Sequence, residues 1–71
     1  MKFDYSKLLG RIKEFGYTQE TFAPHIGMSI ATLSAKLNCK AYFKQLEIKR
    51  ICALLEIRIC EIGRYFFTIK V

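Results

Sequence analysis

Four side chains in this sequence are candidate ligands for a zinc ion: His25, Cys39, Cys52 and Cys60. A zinc site needs about four such ligands at short spacings, and no two of these cysteines form a CxxC pair. Their odd number, without a disulfide framework, indicates free thiols in a reducing compartment. On its own predicted helix, His25 has no serine, cysteine or carboxylate at a spacing that would make it a catalytic base. We therefore expect no enzyme activity, no metal and no cofactor.

The second chemical feature is an excess of positive charge. The chain has 12 Lys and Arg against 6 Asp and Glu, a net charge of +6, which favours a polyanionic partner, most often nucleic acid. No acidic residue lies between Glu20 and Glu47, whereas Lys36, Lys40 and Lys44 do. We expect these lysines to lie beside a phosphate strand, where the release of counterions adds to affinity. An ordinary solvated loop is the alternative.

Composition and periodicity predict the scaffold that positions these residues. With 71 residues, 52% of them hydrophobic and 25% charged, the chain fits one globular domain, residues 1–71. Apolar residues recur with the 3.6-residue period of a helix, which predicts an all-α fold of five helices over about residues 5–15, 19–26, 30–37, 44–55 and 59–66. The apolar runs are too short to cross a bilayer, and Asp4 interrupts any signal peptide, so we expect a cytoplasmic protein with no membrane partner.

The same period predicts the core. The residues expected to point inward are Leu8, Leu9, Ile12, Phe15, Phe22, Ala23, Ile26, Leu33, Leu37, Ile48, Ile51, Cys52, Leu55, Ile59, Ile62 and Phe66, and Leu46 and Leu54 are expected to widen the inward face of the fourth helix. Thr18 and Ser29 are predicted N-caps, and Gly16 and Gly27 are predicted to end helices in the left-handed conformation. Pro24 lies past the first turn of the second helix, where it removes a donor, so we expect that helix to be kinked or tightened. The alternating tail, residues 67–71, is predicted to be extended.

Residues 18–38 carry the most specific signal. The two short helices predicted here are joined by a three-residue turn that Gly27 opens, and the small Ala23 lies where crossing helices must approach closely. Four segments resemble the helix-turn-helix of the phage Cro/repressor type, the lambda-repressor-like DNA-binding domain: Thr18-Gln19, Gly27-Met28-Ser29, Thr32-Leu33-Ser34 and Lys36-Leu37-Asn38. The opening and the ending of the chain are similar to small Cro-like regulators of phages of Gram-positive hosts. The resemblance implies a helix-turn-helix at about 18–37 and a transcriptional regulator of the lysis–lysogeny switch.

The resemblance also implies residue roles in binding double-stranded operator DNA. Gln19 matches a position that approaches a phosphate at a helix N-terminus. The residues that match the start and outer face of the family's recognition helix are Ser29, Ile30, Ala31, Thr32, Ser34 and Ala35. The residues that match its flanking positions, which reach the sugar-phosphate backbone, are Lys36, Asn38 and Lys40. The charge pattern adds Lys44. Related regulators pair through their C-terminal elements on two-fold operators, which favours a homodimer on DNA.

Two features depart from this pattern. Ile30, Ala31 and Ala35 stand where side chains that make bidentate hydrogen bonds to base edges are frequent, and each missing contact forgoes about 1–3 kcal/mol of discrimination. Cys39 stands where the family usually ends this helix with glycine. The alternative interpretation is that Met28, Ile30, Ala31 and Ala35 form an exposed apolar face that binds another protein. Small phage proteins of this appearance include antirepressors, also called modulators of repression, which bind the DNA-binding domain of the partner repressor.

Overall fold

The predicted all-α architecture is confirmed by the structure, a computed structural model that describes residues 2–71. Its five α-helices are α1 (Ser6–Glu14), α2 (Gln19–Phe22), α3 (Ile30–Leu37), α4 (Gln45–Leu54) and α5 (Ile62–Phe66). Two 3₁₀ turns, Ala23–Ile26 and Ile59–Glu61, continue α2 and precede α5. Residues 2–71 contain no β-strand, and an isolated antiparallel bridge pairs Phe3 with Ile69.

The apolar core draws on every helix. Its buried members are Tyr5, Leu8, Ile12, Phe22, Ala23, Ile26, Leu33, Leu37, Ile51, Cys52, Leu55, Ile57 and Phe66. Most of the predicted inward set is therefore confirmed, but Leu9, Phe15, Leu46 and Ile59 lie at the surface. Phe15 follows the end of α1, where its ring packs against the guanidinium group of Arg11, with Arg11 Cζ 4.9 Å from the ring centroid. Ile59 begins a 3₁₀ turn, whose three-residue period turns it away from the face that an α-helix would bury.

Pro24 tightens the second helix, as predicted. The α-helical hydrogen bonding stops at Phe22, and Pro24 stands within the first two positions of the 3₁₀ turn that follows. A missing N–H is tolerated there because the first donors of a helical segment have no partner within it. Thr18 caps α2 as expected: its hydroxyl oxygen accepts a hydrogen bond from the Thr21 N–H, and the Thr21 hydroxyl oxygen accepts one from the Thr18 N–H.

Left-handed residues end four helical segments, and only two of these residues are glycines. Gly16 (φ 82°) follows α1, and Gly27 (φ 72°) follows the first 3₁₀ turn, as predicted. Cys39 (φ 62°) follows α3 and Glu56 (φ 53°) follows α4, although each has a Cβ atom. In all four places, the N–H of the following residue donates to the carbonyl oxygen five residues before it, at 2.8 to 3.1 Å. These Schellman bonds satisfy carbonyl groups that the helices would otherwise leave unpaired.

Cys39 has a second contact that holds it in the left-handed conformation. Its half-buried thiol donates a hydrogen bond of 3.2 Å to the carbonyl oxygen of Phe3. Surrounding structure of this kind allows a residue other than glycine to occupy a left-handed position. The thiol therefore links the end of α3 to the N-terminal segment, while Cys60 is the exposed thiol of the chain.

An ion pair between α3 and α4 is the main charged contact of the interior. The side chain of Lys36 is 7% exposed and that of Glu47 is 16% exposed, and Lys36 Nζ lies 2.5 Å from Glu47 Oε1. The same oxygen accepts a hydrogen bond of 2.8 Å from the Lys44 N–H at the start of α4. The structure does not place Lys36 at the surface beside a DNA backbone, as expected from the sequence, because its ammonium group is turned inward to compensate a partly buried carboxylate.

The two ends of the described chain meet at the bridge between Phe3 and Ile69. The tail is extended there, as predicted, because its backbone pairs with the N-terminal segment on both sides of the bridge. The two flanking hydrogen bonds run from Asp4 N–H to Thr68 O at 2.7 Å and from Lys70 N–H to Lys2 O at 2.9 Å. Among residues 2–71, no helix is long and apolar enough to cross a membrane.

Replacing Glu47 by glutamine tests the ion pair. Glutamine retains an oxygen for the Lys44 N–H but leaves the Lys36 ammonium group buried without a counter-charge, so Glu47→Gln is expected to lower the free energy of unfolding by about 3 kcal/mol. Urea unfolding measures this difference. The matched control is Glu61→Gln, since the Arg58 side chain that pairs with Glu61 is 80% exposed and such pairs contribute less than about 1 kcal/mol. Equal losses in the two variants would contradict this account.

The same pair makes stability depend on pH. Burial, the largest single effect, raises the pKa of Glu47. Hydrogen bonds from Lys36 and from the Lys44 backbone, together with the charges of both lysines, lower it by more in total, so the pKa lies below its ordinary value. The unfolded chain therefore takes up this proton first as the pH falls. We expect the contribution to be complete above the ordinary glutamate pKa of about 4.3 and to be lost as the pH falls through the folded-state value.

Urea unfolding of the wild type and of Glu47→Gln over a series of pH values measures this dependence. The difference in unfolding free energy between the two proteins is expected to shrink across that acidic window, because only the wild type loses the charge of Glu47. A difference that stays constant from neutral pH to strong acid would show that Glu47 does not titrate with folding.

Candidate functional site

The outer face of α3 is accessible, as both hypotheses from the sequence require. The helix begins at Ser29, whose hydroxyl oxygen accepts a hydrogen bond of 3.1 Å from the Thr32 N–H, and it turns Leu33 and Leu37 into the core. The residues of its outer face are Ile30, Ala31 and Thr32, which are exposed, and Ser34 and Ala35, which are half-buried. The alternation of buried and accessible positions predicted from the helical period is therefore found in the structure.

The apolar part of this face is centred on Ile30. Its side chain is 44% exposed, and Ala31 beside it is also exposed. Met28 was predicted to belong to the same protein-binding face, but it is half-buried and packs against the core. We define the α3 patch as Ile30, Ala31 and Ala35. The two alanines are one helical turn apart, so they line one row of the surface with small side chains.

The polar side chains near the patch are already hydrogen-bonded within the chain. The Ser29 hydroxyl donates to the Thr32 hydroxyl oxygen at 2.9 Å. The Asn38 side-chain amide donates to the Ser34 carbonyl oxygen at 2.8 Å and lies 3.3 Å from the Ser34 hydroxyl oxygen. Asn38 is the one residue of the predicted DNA-contacting set on or after α3 whose side chain suits bidentate contact with adenine. In the structure, its amide group instead caps the end of the helix.

The α3 patch is also electrically neutral. Lys36 is the one charged residue of α3, and its ammonium group pairs with Glu47 in the interior. Two exposed cations follow the helix in the chain. Lys40 and Lys44 are exposed, and neither enters an ion pair within residues 2–71. Gln19, at the first position of α2, is half-buried.

Arg50 is a further cation, and it lies beside Gly27 in the turn between α2 and α3. The sequence patterns do not predict this position. A Cβ atom placed on Gly27 would lie 3.4 Å from Arg50 Nη1, so the guanidinium group of this α4 residue approaches the turn before α3. The residue is exposed. The helical period of α4 indicates only that Arg50 lies on its outer surface. Which turn the guanidinium group reaches depends on how α4 packs against the rest of the chain.

Known proteins share this arrangement of helices. The family described as "Protein of unknown function (DUF739)" matches residues 1–69. The chain is also similar to the solution structure of the modulator of repression (MOR) of the temperate bacteriophage TP901-1 from Lactococcus lactis. The two chains are 45% identical, with a TM-score of 0.82, over 100% of this chain and 96% of that chain. No curated protein matches the sequence.

Proposed function

This chain belongs to the DUF739 family, and we propose that it is a modulator of repression, an antirepressor that binds the DNA-binding domain of a phage repressor through the α3 patch. The observation that carries the proposal is the character of that patch, which is apolar and uncharged, with Ile30 and Ala31 exposed and Ala35 half-buried. The similarity to the modulator of repression of phage TP901-1 over the whole chain supports the same class of function.

Electrostatics favours a protein over DNA as the ligand of α3. A helix that reads DNA relies on cations for affinity and on bidentate polar side chains for base recognition. Here the only cation of α3 is turned inward, and the Asn38 amide is hydrogen-bonded to Ser34. An uncharged patch neither attracts phosphates nor repels a second basic surface, which a DNA-binding domain presents. Burial of its apolar side chains then supplies the driving force for association.

The shape of the patch suits a helix of the partner. Ala31 and Ala35 are spaced by four residues, so together they form a shallow row into which the side chains of a second helix pack closely. Ile30 projects beside this row and provides one large apolar contact. Lys40 and Lys44 follow the helix as exposed cations. An apolar centre with charges at its border is the usual composition of a protein interface.

The substitution Ile30→Asp tests the interface. It places a charge at the centre of the patch, and it is expected to weaken binding to the DNA-binding domain of the phage repressor by at least about 30-fold, or 2 kcal/mol. Isothermal titration calorimetry on the two purified proteins measures the affinity. The variant is expected to fold, because the side chain is 44% exposed and an acidic residue in the first turn is favourable to a helix.

Leu46→Asp is the matched control. Leu46 is also apolar and is 66% exposed, but it lies on α4 outside the patch, so the same change of charge is expected to leave the affinity within about twofold. Circular dichroism checks that both variants are folded. Wild-type affinity in Ile30→Asp would remove α3 as the repressor-binding surface, and an equal loss in both variants would indicate a general effect of charge.

Direct binding to operator DNA is the second candidate function. The exposed cations Lys40, Lys44 and Arg50 favour it, as does the Cro-type helix-turn-helix predicted from the sequence. In this case the chain would bind through phosphate contacts and the shape of DNA rather than through base edges. A joint complex of DNA, repressor and this chain combines the two functions.

A gel-shift experiment on the operator region separates these functions. As an antirepressor, the chain is expected to release the repressor from its operator and to retard the DNA little when added alone at low salt. Direct binding predicts retardation by the chain alone. The slope of the logarithm of the binding constant against the logarithm of the salt concentration is then expected to be shallower in the double variant Lys40→Glu/Lys44→Glu, by about 0.9 per lost phosphate contact. A slower band containing repressor, DNA and this chain would identify the joint complex.

A further inference from the structure

A second apolar feature lies outside the α3 patch. It is a pocket of about 190 Å³ whose walls carry six aromatic rings, those of Phe3, Tyr5, Tyr42, Phe43, Phe66 and Phe67. None of the residues of the α3 patch lines it. The rings come from three parts of the chain, namely the N-terminal segment, the loop between α3 and α4, and the end of α5 with the tail. The fold therefore assembles this pocket, which the sequence patterns do not predict.

The walls of the pocket are fixed by contacts between the rings. Phe43 packs edge-on against Tyr5, with ring centroids 5.4 Å apart, and against Phe66, with centroids 5.5 Å apart. Phe3 packs in the same way against Phe67 at 5.9 Å. Edge-on pairs are favourable arrangements of aromatic rings, so these contacts stabilise the ring positions that shape the pocket. Such preorganisation lowers the entropy lost on binding.

The rim of the pocket exposes apolar surface that a partner would cover. Tyr42 is 73% exposed and Phe67 is 54% exposed, although both rings line the cavity. Ile69 continues this surface along the tail and is 54% exposed. Contiguous exposed apolar surface of this kind is typical of interaction sites. An apolar cavity of about 150 Å³ is enough to hold a benzene ring, so this one accepts one large side chain.

The charges around the pocket are positive. Lys2, Lys44 and Lys70 adjoin lining residues or the tail, are exposed, and enter no ion pair within residues 2–71. The two nearby carboxylates, those of Asp4 and Glu47, accept hydrogen bonds within the chain. Asp4 accepts hydrogen bonds from the backbone N–H and the hydroxyl of Ser6, and Glu47 accepts them from Lys36 and the Lys44 backbone. Lys36 compensates the charge of Glu47, whereas Asp4 stays ionised, and the charge of Lys70 contributes to its lowered pKa. The three lysines exceed this one carboxylate, so the rim has a net positive charge that is complementary to a ligand with carboxylates.

We propose that this pocket binds a short acidic segment of a partner protein, which inserts one aromatic side chain between the rings while its flanking carboxylates pair with the rim lysines. The lining of this site shares no residue with the α3 patch, and Lys44 is the one cation that we assign to the border of both surfaces. A second copy of the chain fits less well, because each copy carries a charge of +6 and the rims would repel each other. A nucleotide base also fits less well, because its polar edges would lose their hydrogen bonds in an apolar cavity.

A peptide titration followed by NMR tests the proposal on the full chain. The probe is acetyl-Asp-Glu-Ser-Phe-Ser-Glu-Asp-amide, added to the ¹⁵N-labelled protein. We expect saturable shifts in the amide signals of residues 42–48 and 66–68, none in residues 30–35, and a dissociation constant below about 1 mM. Two further peptides isolate the chemistry. Replacing the phenylalanine by alanine, or the four acidic residues by lysine, is expected to abolish saturable binding.

Tyr42→Asp and Ile59→Asp form a matched pair of variants. Both replace an exposed apolar side chain by a carboxylate, but only Tyr42 lines the pocket. Tyr42→Asp is expected to weaken binding at least about tenfold, and Ile59→Asp is expected to leave it within about twofold. Circular dichroism establishes that each variant is folded.

Four outcomes would overturn the proposal. The first two are the absence of saturable shifts up to about 2 mM peptide and equal binding of the peptide in which alanine replaces phenylalanine. The third is tighter binding of a single-stranded oligothymidylate to the same residues. The fourth is a dimer of the chain alone, observed by sedimentation, that the substitution Tyr42→Asp dissociates. Because the α3 patch plays no part in this measurement, its result is separate from that of the repressor-binding experiment.

Discussion

The rest of the surface depends on where one carboxylate oxygen lies. Glu47 Oε1 accepts hydrogen bonds from Lys36 of α3 and from the Lys44 N–H that begins α4. One atom therefore joins the two helices, caps the second and neutralises the only charge on the first. If Lys36 pointed outward instead, α3 would carry a cation beside Ile30 and Ala31, and its outer face would resemble a phosphate-binding surface rather than an apolar one. The interior contact decides the chemistry of the exterior.

The resulting distribution of charge lets the chain attract polyanions without giving α3 the groups that recognise DNA bases. A basic chain approaches any polyanion through long-range attraction, but α3 offers neither cations nor free amide groups for close contact. The exposed cations flank the helix and do not lie on it. A molecule with this plan contacts a partner through a neutral apolar centre and uses its charges at the border, where they influence the rate and orientation of association more than its strength.

Local features of the fold were predictable from the sequence, and long-range ones were not. The caps at Thr18 and Ser29 and the tightening at Pro24 follow from chemistry within a few residues, and all three are found. The predicted fifth helix, 59–66, is a 3₁₀ turn over Ile59–Glu61 followed by an α-helix over Ile62–Phe66. The burial of Lys36 depends on a partner 11 positions away, and the approach of Arg50 to Gly27 depends on how α4 packs. Helical periodicity predicted that Ile30 would be exposed, but it contains no information about which macromolecule covers it.

The pairing of Lys2 with Lys70 brings the first and last described parts of the backbone within hydrogen-bonding distance. A short linker could therefore join the ends into a circular chain with little loss of entropy on closure, and new ends could be opened in an exposed loop elsewhere. The same closeness means that fluorescent labels attached at Lys2 and at Lys70 would lie at one place on the surface. That place adjoins the aromatic pocket, so such attachments would hinder that site while leaving α3 open.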